Sequence, residues 1–269
     1  MSSNPKPVLL KVDGLSKSFG AVRAVDGINM TITTGEIVGL IGPNGCGKST
    51  TIDCVTGFAR PSGGRIMFAG KDLTGLKPDR IAAAGLLRTF QNVRVYDRLT
   101  LVENLAIARQ SHDRLAWWQS YLGTSATRAC EEKARERGRE LVDIIGLTRL
   151  ADMPAGFLSY GQKKLLALAM TLMADPELVI LDEPLAGVNP TVIRRVAELI
   201  LKLNREGITF LIVEHNVQFI MQQCHRVIVM EQGRQLANGP PNLIWEDDRV
   251  LQAYLGSADR VAKELAFHA

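Results

Sequence analysis

The run Gly42-Pro-Asn-Gly-Cys-Gly-Lys48-Ser49-Thr50 constrains this chain more than any other stretch. An apolar, β-branched segment precedes it and a helix can start at its end. Strand, glycine-rich turn and helix in that order fit G-x-x-x-x-G-K-[ST]. Gly42, Gly45 and Gly47 let backbone N–H groups converge on one point with no Cβ in the way, around Pro43, Asn44 and Cys46. The helix start adds about half a positive charge there. The turn is an anion cradle suited to a polyphosphate. Lys48 is expected to reach the β and γ phosphates, and the Ser49 hydroxyl, next to Thr50, to ligate Mg²⁺.

A second apolar run, 178–181, ends in Asp182-Glu183-Pro184. A carboxylate at a strand's end can hold a magnesium ion, and its neighbour can orient or deprotonate a water. Asp182 is read as the metal residue and Glu183 as the catalytic one. His215 closes another such run, 210–213, where it can contact the γ-phosphate.

Continuous apolar runs mark strands covered on both faces, as in parallel sheets. They occur at 36–42, 178–183, 208–214 and 226–230, with shorter runs at 8–12 and 65–70. Between 91 and 159 the pattern turns helical. Thr100 and Glu103 form a capping box there, and 126–145 is a charged helix. Asn189-Pro190 reads as a cap and first residue, with Val192, Val196, Leu199, Ile200 and Leu203 on one face and Gly207 as the stop. The expected fold class is α/β: a P-loop NTPase core with a mostly parallel sheet, an antiparallel β subdomain and an inserted α-helical subdomain. Residues 8–257 form the expected ATPase domain, with 8–90 and 160–242 as catalytic core and 91–159 as helical subdomain. Residues 243–269 make a C-terminal tail.

Composition narrows the setting. A net charge of +4 over 269 residues is too weak a bias for nucleic-acid binding, and none is expected. The four cysteines have no metal-ligand spacing and read as reduced thiols. The opening MSSNPKPVLLKV has no signal-peptide core, and the longest apolar run, 165–174, is about half a membrane crossing. Any membrane work is expected to go through a partner.

Leu158-Ser-Tyr-Gly-Gln162 takes the reading past a generic nucleotide triphosphatase. It resembles the LSGGQ signature of ABC ATPases, with Tyr160 in the third place. The order of phosphate loop, Gln91, signature, Asp182-Glu183 and His215 is similar to the order in that family, and the likeness spans about residues 8–257. The resemblance implies ATP and Mg²⁺ as cofactors. It implies Phe19 as the aromatic stacked on adenine and Gln91 as a metal ligand that senses a membrane subunit. It also implies that Ser159, Gly161 and Gln162 bind the γ-phosphate of ATP held by a second subunit. Ser159 and Gln162 are spaced as a capping box, which puts a helix start, a hydroxyl and a glycine N–H at one spot. One phosphate loop and one signature imply a dimer with a second ABC ATPase subunit, a copy or a paralogue.

Two departures stand out. Asn189 occupies the D-loop position where the family usually carries Asp. Cys46 lies inside the phosphate loop, where Lys48 and the helix start are expected to lower its pKa.

Within the family, the Ala-Gly-Val-Asn-Pro loop, the long insert around 110–140 and the tail Val250-Leu-Gln-Ala-Tyr-Leu-Gly256 resemble ATPase subunits of bacterial branched-chain amino-acid importers. That implies two transmembrane permease subunits, an indirectly coupled periplasmic solute-binding protein, and a peripheral place on the cytoplasmic face of the inner membrane. Urea, amides and other amino or organic acids are the alternative cargoes. A soluble, non-transport ABC ATPase is the alternative class. Trp117, Trp118 and Tyr121 are read as packing or a local apolar cluster, with a docking surface for a membrane partner as the alternative, and the resemblance implies 91–104 as the coupling surface.

Overall fold

The computed structural model describes residues 6–89, 94–110 and 125–255. Gln91, Trp117, Trp118, Tyr121 and the tail from Gly256 onward lie outside the described residues. Contacts divide the chain into two compact units. Residues 1–87, 177–183 and 204–269 make the first, and 88–176 with 184–203 the second.

Two sheets build the first unit. In one, β1 (Val8–Phe19) pairs antiparallel with β2 (Val22–Thr33) and with β4 (Gly63–Phe68), and β5 (Lys71–Asp72) adds to β4. The second sheet contains β3 (Ile37–Ile41), β6 (Leu86–Thr89), β7 (Leu178–Asp182), β8 (Thr209–Val213), β9 (Arg226–Glu231) and β10 (Arg234–Gly239). Its spatial order is β10-β9-β3-β8-β7-β6. β9, β3, β8 and β7 run parallel, and β10 turns back antiparallel on β9. Every residue of β3, β7 and β8 is buried, as their unbroken apolar sequence requires.

One apolar cluster joins the sheets: Leu10, Val12 and Leu15 from β1, Val25, Ile28 and Ile32 from β2, Ile66 and Phe68 from β4, and Ile52 and Val55 from α1 (Lys48–Val55). α2 (Pro78–Ala83) follows the antiparallel sheet. α7 (Val217–Gln223), α8 (Pro241–Trp245) and α9 (Asp248–Leu255) complete this unit.

β2 and β10 lie where the sequence shows no continuous apolar run, and the reason is physical. β2 is an antiparallel strand with one wet face. Val25, Ile28, Met30 and Ile32 point inward, while Gly27 and Asn29 interrupt the run. β10 is mostly polar and carries only Ala237 into the core.

The second unit holds α3 (Leu101–Gln110), α4 (Ser125–Ile144), α5 (Tyr160–Leu172) and most of α6 (Pro190–Arg205). The predicted capping box opens α3: Thr100 N–H donates to Glu103 Oε2 at 2.8 Å, and Glu103 N–H to Thr100 Oγ1 at 3.2 Å. Arg109 donates to Met173 O at 2.7 Å and pairs with Asp175 at 2.6 Å. Asn189 caps α6 through Val192 N–H at 3.0 Å, and Val196, Leu199, Ile200 and Leu203 are its buried stripe, while Val192, expected on the same face, is only half-buried in the helix's first turn. No helix among the described residues is long and apolar enough to cross a membrane.

Candidate nucleotide site

Parallel register brings three predicted elements to one edge of the sheet. Leu40 of β3 lies opposite Val213 of β8, and Val213 lies opposite Asp182 of β7. The segments that follow these residues therefore leave the sheet side by side, at the carboxyl ends of its strands. Ligands bind at that end in open α/β sheets.

The phosphate loop follows β3. Gly42 sits at φ +149, and a Cβ there would come within 2.1 Å of Met230 O. At Gly47, φ +103, a Cβ would meet Ala24 O at 2.4 Å. These glycines are required by the strands packed behind the loop. Gly45 faces open space, and Asn44, Gly45 and Ser49 are exposed. Behind the loop, Gly233 N–H donates to Cys46 O at 2.9 Å, and Asp26 N–H donates to Gly233 O at 2.8 Å. Lys48 is buried, and its ammonium donates to Gly42 O at 2.7 Å and Pro43 O at 3.0 Å, which fixes it at the loop's centre.

The first bond of the α1 ladder runs from Thr51 N–H to Gly47 O at 2.9 Å. The N–H groups of Lys48, Ser49 and Thr50 precede it, and no side chain caps this helix. A cradle of forward-facing amides, a central ammonium and an open glycine fits a triphosphate.

Cys46 departs from expectation. It is buried, and desolvation pushes its thiol pKa up, outweighing the opposing pull of Lys48. The lowered pKa read from the sequence counted the nearby cation and omitted the burial.

Asp182 ends β7 and is buried. Glu183 follows in the left-handed region, at φ +49, a conformation that costs a non-glycine residue about 1 kcal/mol or more. Two contacts hold it there. Its N–H donates to Val213 O at 2.9 Å, and its Oε1 shares a 2.8 Å hydrogen bond with His215 Nε2. The two residues predicted to act on water and γ-phosphate thus touch across adjacent strand ends.

Two neighbours went unnoticed in the sequence. Glu214 is buried, and its carboxylate accepts His215 N–H at 3.0 Å and Asn216 N–H at 3.4 Å, which shapes the turn that presents His215. Its position directly before the histidine at a strand's end was the available signal. Tyr254 of α9 lies near Gly42 with its phenol largely buried, which drives its pKa well up. Nothing in the local sequence marks a tail tyrosine as a neighbour of the phosphate loop. Phe19 ends β1 with a half-exposed ring, and the Lys17 ammonium lies 4.7 Å from its centroid.

In the second unit the signature turn has the predicted local geometry. Ser159 N–H donates to Gln162 Oε1 at 2.8 Å, and Gln162 N–H donates to Ser159 Oγ at 3.3 Å. Ser159 is thus the cap of α5, and Gly161 is the second residue of that helix.

A phosphate cradle after a central parallel strand, with acidic residues ending a strand of the same sheet, makes the first unit the core of a P-loop nucleotide triphosphatase. A model of the family described as "ABC transporter" matches residues 25–186, more than half of the chain. The chain belongs to that family and is an ATP-binding, ATP-hydrolysing subunit. It is 39% identical over 251 residues to the high-affinity branched-chain amino acid transport ATP-binding protein BraF of Pseudomonas aeruginosa, covering 93% of this chain and 98% of the relative. Identity and coverage are the same with LivG of Escherichia coli, which carries the same description. Among solved structures, the ADP conformation of MJ1267, an ATP-binding cassette of an ABC transporter, superposes with a TM-score of 0.82 at 32% identity. That match covers 93% of this chain and 100% of the other.

Proposed function

We propose that this chain powers a bacterial importer of branched-chain amino acids, as half of an ATPase pair docked on two permease subunits at the cytoplasmic face of the membrane. The BraF and LivG likeness over nearly the full length supports the cargo, and the family membership supports the permease partners. The second ATPase is a copy or a paralogue of this chain, and a periplasmic binding protein delivers the solute.

In this reading the loop 42–50 and Phe19 hold ATP, and Ser49, Asp182 and Gln91 hold Mg²⁺. Among the described residues no group of three His, Cys, Asp or Glu forms a ready-made metal cage. That suits Mg²⁺, which keeps waters and takes one or two protein ligands beside the phosphates. The bound metal would neutralise charge on the β and γ oxygens. Glu183 orients and deprotonates the attacking water, His215 holds Glu183 and contacts the γ-phosphate, and Lys48 offsets charge on the leaving group. The Ser159–Gln162 turn closes on the γ-phosphate of ATP held by the other subunit, so nucleotide joins the pair and hydrolysis releases it.

The 2.8 Å contact between Glu183 and His215, at a glutamate held in a disfavoured backbone conformation, carries this reading. The test is to purify the chain with its permease and binding protein in vesicles and measure ATP-dependent uptake. Leucine or isoleucine uptake that ceases with Lys48→Ala is expected. Uptake of urea or amides alone would overturn the cargo, and ATPase activity that associates with no permease would overturn the transport role.

A further inference from the structure

We propose that Tyr160 and Lys164 are positioning residues that tie the first turn of the signature helix to the segment directly behind Glu183, so that what binds at Ser159 bears on the geometry of hydrolysis. The proposal rests on the reading of Glu183 as the water-orienting residue.

Three contacts within the second unit carry it. Lys164 stands one helical turn after Tyr160, on the same face of α5. Its ammonium lies 5.5 Å from the Tyr160 ring centroid, within cation–π range, and donates to Pro184 O at 3.2 Å. The tyrosine ring lies against Gly187, where a Cβ would come within 3.2 Å of Tyr160 Cε1. Gly187 is in the left-handed region at φ +72, so a side chain there would be strained by the backbone and crowded by the ring. Beside it, a Cβ on Gly161 would meet Val192 Cγ2 at 2.7 Å, so the first turns of α5 and α6 are packed backbone to side chain. Residues 184–192 are therefore held at Pro184, Gly187 and Val192 by one turn of one helix.

Tyr160 is half-exposed, which is unlike a core aromatic, and it fills the third signature place. Pro184 is bonded directly to Glu183, whose own N–H is pinned to Val213 O. A glutamate at φ +49 keeps that shape only while the chain on both sides of it is held. β8 holds one side, and the Lys164 ammonium with the Tyr160 ring holds the other. A shift of the capped turn at Ser159 would move both anchors together, because all lie within two turns of α5.

Full-length variants in the assembled transporter test this, with kcat and KM for ATP measured separately and melting temperature as a fold control. Lys164→Met keeps the stem and loses the charge, and Tyr160→Gly removes the ring. Each is expected to lower kcat about tenfold, with KM for ATP and melting temperature near wild type. Tyr160→Phe and Lys164→Arg, which keep ring and charge, are expected to restore most of kcat. Wild-type kcat in both Lys164→Met and Tyr160→Gly would overturn the proposal. So would a loss in Tyr160→Phe as deep as in Tyr160→Gly, since the ring would then not be the agent. Parallel loss of ATP affinity and melting temperature would also overturn it, by making the contacts plain packing. Wild-type hydrolysis in Glu183→Gln would refute the reading of Glu183 itself, a separate failure.

Discussion

Replacing Glu183 by Gln changes one property of the site and leaves its shape. Gln is isosteric, so the backbone cost at φ +49 is common to both forms and cancels from the comparison. The carboxamide can still meet His215 Nε2, 2.8 Å away in the native protein. That contact is partly exposed, with side-chain exposures of 24% for Glu183 and 46% for His215, so its charge contributes about 1 kcal/mol or less to stability. A chain of this size should therefore melt within about 4 °C of wild type. What is lost, on the proposed assignment of Glu183, is the base. Removing a positioned proton acceptor typically costs about 10²–10⁴ in rate, or about 3–5 kcal/mol in barrier height. Phosphate release at saturating ATP should fall by that factor with KM for ATP little changed. A kcat within about threefold of wild type would refute the assignment of the base, since a positioned base typically contributes at least about a hundredfold. A fall in kcat that tracks a large drop in melting temperature would refute the claim that shape is preserved.

Other expectations follow from the same structure. Arg226 grips Glu36 at 2.6 and 3.1 Å. Burial alone would raise the Glu36 pKa, but bonds from Arg226 and Thr33 outweigh it and hold the carboxyl below its usual value. A lowered folded pKa stabilises above the unfolded value and ceases to do so as pH falls through the folded one. Arg226→Met should cost about 1–2 kcal/mol in urea unfolding at pH 7, because the pair is only partly buried, with the gap to wild type narrowing below about pH 4; a pH-independent gap would contradict this. Cys46 should resist iodoacetamide at pH 7.5 by mass spectrometry until the protein unfolds, because its thiol is buried and its pKa raised. Rapid labelling blocked by ATP would show that the loop opens far more than this. Gly42→Ala should abolish nucleotide binding or folding, since the new methyl would lie 2.1 Å from Met230 O, and a variant with native ATP affinity would refute that packing.

The legible parts of the fold were those with one-dimensional signals. β3, β7 and β8 are unbroken apolar runs because both faces are covered, and the caps at Thr100, Ser159 and Asn189 are local hydrogen-bond patterns within four residues. β2 and β10 were harder because half of each faces water and Gly27 and Asn29 interrupt the first. The site's loop and strand ends were readable for the same local reason. Their convergence needed the parallel register of β3, β8 and β7, a long-range pairing that no window of sequence contains. Tyr254 near Gly42, the ring of Tyr160 on Gly187 and the burial of Cys46 are likewise tertiary facts.

Sedimentation of Glu183→Gln with ATP or with ADP, alone and mixed with the second ATPase proposed above, tests most directly whether one triphosphate is shared by two chains. A two-ATPase particle that forms with ATP, dissociates with ADP and is abolished by adding Ser159→Arg to both partners is the predicted result. A chain that stays monomeric under saturating ATP in every mixture, or pairs equally well when Ser159 is replaced by Arg, would contradict it.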